Sequence, residues 1–261
     1  MGPYLALHAC RAGGWRSIQR LWYRLVCRSC GLGVEIKGEA AHPGRCVFVA
    51  NHVSYLDIPV LGRVLDATFV AKGEIAGWPL IGWLAKVSGT VFIDRRRMSA
   101  RRGTAVVSAC LKRRQRLVLF PEGTSSDGRT VLPFRSSLFE AAFADHDPAD
   151  LWIQPVSVAY TRYVDGRVLR GTMGDHYAWY GEMTLVDHVA RVFGLEGASV
   201  EVTLHPPVRA IDFADRKALA KFCRNAVAAG LASSVTGRPV RTAIRHERIT
   251  NSSLGIDARA A

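Results

Sequence analysis

Short β-rich runs alternate with longer helical stretches along most of this chain, and no other feature restricts its architecture as much. The segments 46–50 (CVFVA), 67–71 (ATFVA), 90–93 (TVFI), 116–120 (RLVLF), 152–159 (WIQPVSVA) and 199–204 (SVEVTL) read as strands. All are short, apolar and rich in β-branched or aromatic residues. Between them 56–65, 79–87, 99–114 and 135–145 can form helices, and 214–234 reads as another. Strands separated by helices need crossover connections, which favour parallel pairing. The expected fold is α/β: a single domain with a largely parallel central sheet flanked by helices. A chain of 261 residues suits one such domain or at most two small ones. Active sites in these sheets gather where strands end and loops open.

The charge balance narrows the partners. A formal charge of +13 and a pI near 10.0 favour an anionic surface or substrate. Residues 15–28, WRSIQRLWYRLVCR, carry Arg16, Arg20, Arg24 and Arg28 at four-residue steps. On a helix these spread over a face about 120° wide. Trp15, Ile18, Leu21, Trp22, Leu25 and Val26 take the opposite face. A basic amphipathic helix with two tryptophans suits an interfacial anchor; a surface helix packed on its own domain shares the same periodicity. The segment 74–89, EIAGWPLIGWLAKVSG, adds Trp78 and Trp83 around an apolar stretch too short to span a bilayer. Aromatic residues accompany aliphatic faces here and form no base-stacking strand motif, so the expected anionic partner is a membrane surface, not nucleic acid. The expected organisation is a membrane-interface segment at 1–34, an α/β domain at 35–235 and a polar basic tail at 236–261.

Six cysteines show no disulfide framework, and Cys27-x-x-Cys30 has no second pair at zinc-ribbon spacing. Free thiols fit a compartment facing the cytoplasm. The eight histidines are scattered with no H-E-x-x-H, so no metal is expected. No G-x-S-x-G elbow signals a serine hydrolase.

Three loops that follow strands carry chemistry. ANHVSYLD, 50–57, sets His52 five positions ahead of Asp57. Histidine is the commonest general base near neutral pH, and a carboxylate fixes its tautomer. The spacing rotates about 140° on a helix, so the pair meets only if the loop is not yet helical. Taken alone, it fits a helix-capping aspartate or a satisfied histidine better than a catalytic pair; the buried-looking strand before it and the loop opened by Asn51-His52 favour the pair. In LFPEGTSSDG, 119–128, Pro121 stops the strand, Gly123 lets the backbone approach a ligand, and Glu122 and Thr124 offer polar contacts; an ordinary turn reads the same way. In GTVFIDRRR, 89–97, a strand runs into Asp94 and three arginines, suited to phosphate or to a solvated charged surface.

Together, NHVSYLD, GTVFIDR, FPEGT and IQPVSV (153–158) resemble the four ordered blocks of the glycerolipid acyltransferase family, which includes bacterial 1-acyl-glycerol-3-phosphate acyltransferases. The similarity covers roughly residues 35–210. It implies one-step acyl transfer without a covalent enzyme intermediate. His52 would take the proton of a lysolipid hydroxyl, Asp57 would orient the imidazole, and Asn51 would shape the turn and lie beside the substrate. Arg95 and Lys72 would lie near the acceptor headgroup, with Glu122, Gly123 and Thr124 on the acceptor's other side. Pro155 and Val156 would shape the acyl pocket. No cofactor is implied; acyl-CoA or acyl carrier protein would carry the donor. The enzyme would sit peripherally on the cytoplasmic face of the inner membrane.

One position departs from the pattern. Members acting on phosphorylated acceptors commonly carry Arg after FPEGT, and here Ser125 stands there. FPEGTSSDG, the following LPFRSSLF (132–139) and, more loosely, HYAWYGEM (176–183) are similar to lyso-ornithine lipid acyltransferases, whose acceptor has no phosphate. By family default the acceptor is 1-acyl-sn-glycerol-3-phosphate, with lyso-ornithine lipid as the alternative. A non-catalytic membrane-binding protein is the reading from another class; it has no need of both His52 and Asp57.

Overall fold

Eight strands form one sheet in the order β1-β7-β6-β2-β5-β3-β4, with β8 paired to β6. The structure, a computed structural model, describes residues 15–40, 44–78, 81–93, 100–144, 150–169 and 176–238. The strands are β1 (Leu32–Lys37), β2 (Arg45–Ala50), β3 (Thr68–Lys72), β4 (Val91–Ile93), β5 (Leu117–Leu119), β6 (Leu151–Tyr163), β7 (Ala198–Leu204) and β8 (Val208–Arg209). The helices are α1 (Trp15–Ser29), α2 (Asp57–Val64), α3 (Ile81–Val87), α4 (Ala100–Lys112), α5 (Glu140–Phe143), α6 (Leu185–Phe193) and α7 (Arg216–Thr236).

β2 is buried along its whole length, as the apolar run CVFVA requires of a central strand covered on both faces, and Arg45 at its start donates to Leu111 O at 3.1 Å. Its side chains alternate between two cores. Cys46, Phe48 and Ala50 join Tyr23 and Cys27 of α1, Val60 and Leu61 of α2 and Val192 of α6. Val47 and Val49 join Leu111 of α4, Ala141 of α5 and Leu219 and Cys223 of α7. Helices therefore cover both faces of the sheet. β6 pairs parallel to β2 over Leu151–Val156 and antiparallel to β7 over Val156–Tyr163, with a register shift between Tyr160 and Arg162. Since β2, β5, β3, β4 and β6 all run the same way, their C-terminal ends share one edge of the sheet.

The expected single α/β domain with a helix-flanked central sheet is what the chain forms, and the sheet is mixed: antiparallel at β6–β7 and β6–β8 and parallel at the other pairs of named strands. Strand β1 crosses the expected boundary between residues 34 and 35, so residues 32–34 of the N-terminal segment belong to the sheet. Helix α1 seats Tyr23 and Cys27 in the core, followed by Cys30 in the turn after it, while Ile18, Leu21, Trp22 and Leu25 stay exposed at 44–56%. Val26 is partly buried against the core. The side chain of Trp15, the residues 1–14 with Cys10, and the tail from 239 lie outside the described residues. Gly62 of α2 faces the Tyr23 ring so closely that a Cβ there would sit 2.3 Å from it, which is why the position needs glycine. Arg16 forms an ion pair with Asp66, and Gln19 donates to the backbone oxygen of Ser88 at 2.7 Å. Helix α7 begins at Asp215, whose side chain accepts from Lys217 N and Ala218 N, and ends at Gly237 in the left-handed region. No helix among the described residues is long and apolar enough to cross a membrane.

Candidate active site

His52 lies in the loop that leaves β2, five residues before the first position of α2 is complete. Because residues 51–54 have no helical hydrogen bonds, the chain turns back and brings His52 onto Asp57. The Nδ1–H of His52 donates to Asp57 Oδ2 at 2.8 Å. The same oxygen accepts from Val53 N at 2.7 Å and Ser54 N at 3.0 Å, and Oδ1 accepts from the Tyr160 hydroxyl at 3.0 Å. Asp57 thus receives donors from upstream of its helix and does not serve as a helix cap. Its side chain is fully buried, while that of His52 keeps 21% exposure. The imidazole is reachable and its partner is sealed. With Nδ1 committed to Asp57, Nε2 is the ring nitrogen that can take a proton. The imidazole also stacks on Phe120, with centroids 4.2 Å apart.

The loop after β5 holds the His52 backbone from both sides. Glu122 Oε1 accepts from His52 N at 2.9 Å, and Ser126 N donates to His52 O at 2.9 Å. Glu122 Oε2 accepts from Leu132 N at 3.1 Å. Gly123 has φ +74°, a conformation that glycine adopts without strain, and this turns the loop between the two contacts. Thr124 is exposed and Ser125 half-buried, so the loop shows these two side chains outward. Burial is the main influence on Glu122 and raises its acid to about 7; the two backbone N–H groups and His52 act against that rise.

Asn51, expected beside the substrate, is buried with its amide turned into the sheet. Its Nδ2 donates to Val158 O at 2.9 Å, and its Oδ1 accepts from Val158 N at 2.8 Å. The side chain thereby replaces a strand partner where β2 ends. Lys72 ends β3, on the same sheet edge as His52 and Glu122. Arg95 lies outside the described residues, as do Asp94, Arg96 and Arg97; β4 ends at Ile93 on that same edge. Pro155 and Val156 are buried within β6, and Val156 packs in the core beside Val158. No group of three or more His, Cys, Asp or Glu is placed to hold a metal among the described residues. Cys27 and Cys30 are free and buried, and burial pushes the Cys27 thiol up to about 11.

Tyr160 and Phe120 are site residues that motif reading passed over. Burial first, then the charge of Asp57, drives the Tyr160 phenol well above its usual range, so it stays a hydrogen-bond donor. Its signal was parity: Val158 and Tyr160 share a sheet face beyond the point where β2 gives way to Asn51. The segment HYAWYGEM also reaches the site. Trp179 N donates to Val53 O at 3.0 Å, and its ring meets Tyr55 and Trp78 edge-on at 6.0 and 5.7 Å.

Comparison with known proteins agrees with this geometry. The Acyltransferase family model matches residues 33–159. A lyso-ornithine lipid O-acyltransferase of Rhodobacter capsulatus is 39% identical over 79% of this chain and 74% of its own length. One from Brucella abortus is 35% identical over 91% of each chain. The crystal structure of the 1-acyl-sn-glycerophosphate acyltransferase PlsC from Thermotoga maritima superimposes with a TM-score of 0.63 at 21% identity, covering 84% of this chain and 79% of that one, and shares the fold. With the blocks NHVSYLD and FPEGT closing on one another around His52, this chain belongs to the acyltransferase family that contains the lyso-ornithine lipid O-acyltransferases.

Proposed function

We propose that this enzyme moves a fatty acyl group from a thioester to the free hydroxyl of a lysolipid, with His52 as general base. The observation that carries the reading is the His52–Asp57 bond, a partly exposed imidazole on a sealed carboxylate. His52 Nε2 takes the hydroxyl proton as the acceptor oxygen attacks the thioester carbonyl. The carbon–sulfur bond then breaks, and the thiolate leaves with that proton returned from the imidazolium. Asp57 stabilises the charged ring in between. No covalent enzyme intermediate is needed, since the two substrates react directly. Acyl-CoA or acyl carrier protein is the donor.

The acceptor favoured is lyso-ornithine lipid. Support comes from Ser125 in place of an arginine, from HYAWYGEM lying against the catalytic loop, and from the names of the relatives at 39% and 35% identity. The second reading, 1-acyl-sn-glycerol-3-phosphate, rests on Lys72 at the site's edge of the sheet and on Arg95 following β4. Thr124 and Gly123 would flank either acceptor, with Glu122 holding the loop behind them.

Helix α1 is the membrane contact in this reading. Its inward side is taken by Tyr23 and Cys27, and this leaves Ile18, Leu21, Trp22 and Leu25 as an outward apolar stripe beside exposed arginines. Indoles at headgroup level and guanidinium groups on anionic lipid suit peripheral attachment at the cytoplasmic face of the inner membrane. The test is acyl transfer by the detergent-purified protein beside His52→Ala, each supplied with labelled acyl-CoA or acyl carrier protein and each acceptor. His52-dependent ornithine lipid supports the proposal; phosphatidic acid alone selects the second acceptor. Product formed equally by His52→Ala rejects the mechanism.

A further inference from the structure

We infer that Tyr160 is a positioning residue for the reaction: its hydroxyl fixes the Asp57 carboxylate in the orientation that presents Oδ2 to His52. The inference rests on His52 being the base. Three donors converge on Oδ2, from His52 Nδ1, Val53 N and Ser54 N, whereas Oδ1 has the Tyr160 hydroxyl at 3.0 Å. A carboxylate rotates about its Cβ–Cγ bond, so fixing one oxygen orients the other. The donor comes from 103 residues away, on β6, and not from the loop that carries the dyad. The orientation is therefore imposed by the sheet.

Two features make Tyr160 a rigid post. The register shift between Tyr160 and Arg162 falls at this residue, and such irregularities re-aim side chains at sites. Its ring also stacks on that of Tyr177, which is fully buried, at 5.8 Å and 10° between planes. Other titratable and charged groups facing the pair are Glu122 toward Asp57, and Cys27 and Tyr55 around the phenol, with Arg63 against Cys27. Burial raises the Cys27 and Tyr55 protons out of the working pH range, so Glu122 is the group among these that also titrates near neutrality.

A hydroxyl on Oδ1 stabilises the ionised carboxylate, so its removal makes the dyad hold a proton at higher pH. Tyr160→Phe keeps the ring and the stack and deletes only that donor. Expected are a roughly tenfold fall in kcat, a KM nearly unchanged for both substrates, and an acid limb of the kcat/KM profile moved toward higher pH. In an Asp57→Asn background the same change should add no further loss, as expected when one residue acts through the other. Wild-type rates and an unmoved acid limb in folded Tyr160→Phe would overturn the role of Tyr160 while leaving His52-dependent transfer intact. An active His52→Ala variant would instead overturn the reading beneath it. Should Tyr160→Phe not fold, 3-fluorotyrosine at position 160 supplies a stronger donor. It should move the acid limb to lower pH, and a limb that stays put overturns the inference.

Discussion

The backbone nitrogen of His52 donates to the Glu122 carboxylate at 2.9 Å across 70 residues of sequence, so the loop that carries His52 is held by the loop after β5. Glu122 is 3% exposed and its second oxygen accepts from Leu132 N. One carboxylate thus satisfies two backbone donors that burial would otherwise leave unpaired.

Glu122→Gln tests this arrangement and its pH dependence together. Both oxygens of the neutral acid keep lone pairs for the two N–H groups, whereas the NH2 of the amide only donates, so at pH 5 the variant should lose about 1–3 kcal/mol in urea unfolding. For the wild type, the folded acid titrates at about 7, above its unfolded value near 4.5. The stability contributed by protonated Glu122 is complete below the unfolded value and is lost as pH rises through the folded one. Between pH 5 and 7 that loss approaches about 1.4 kcal/mol per pH unit. The gap between wild type and variant should therefore narrow toward pH 8; a constant gap speaks against a neutral buried acid.

Asn51→Ala removes both partners of Val158 at the end of β2. Each abandoned backbone group costs about 1–3 kcal/mol when buried. Thermal unfolding should fall accordingly, with activity lost through displacement of His52. Unchanged stability would return Asn51 to the substrate side of the site.

Asp57→Asn places an amide among four hydrogen-bond donors. The NH2 end repels whichever donors it meets, and no charge remains to stabilise the imidazolium. A fall in kcat of about 10²–10⁴-fold is expected, with the fold retained by circular dichroism. A loss of less than threefold would remove Asp57 from the mechanism.

Ser125→Arg tests acceptor choice. A new charge-assisted contact to phosphate is worth about 1.5–3 kcal/mol, or about 10- to 150-fold in kcat/KM for 1-acyl-sn-glycerol-3-phosphate. Lyso-ornithine lipid should gain nothing. Equal effects on both acceptors would show that position 125 does not meet the headgroup.

What the sequence made legible follows from how local each signal is. Strands β2, β5 and β7 were readable because their apolar runs or alternation lie within a few residues. β1, LGVEIK, was not expected: it is an edge strand with Gly33, Glu35 and Lys37, and Ile36 is 51% exposed. Charged edges are how sheets avoid further pairing, and they hide the strand from a pattern search. Helix α6 escaped for the opposite reason, since Val186 and Phe193 face outward and blur its polar side. At the site, His52 and Asp57 are close in sequence, and their spacing allowed a meeting only where the loop is not helical, which the structure shows. The long-range partners could not be foreseen: Glu122 to His52, Asn51 to Val158, and Tyr160 to Asp57 depend on strand order, which local patterns do not encode.

The loop after β5 divides its work by depth. Glu122 and Ser126 point inward and grip the two polar groups of the His52 peptide backbone, while Thr124 and Ser125 between them face out. Outer positions of this kind can be exchanged without disturbing the inner pair. A lineage could therefore change which headgroup it accepts by altering one or two codons, with the proton-transfer apparatus inherited intact.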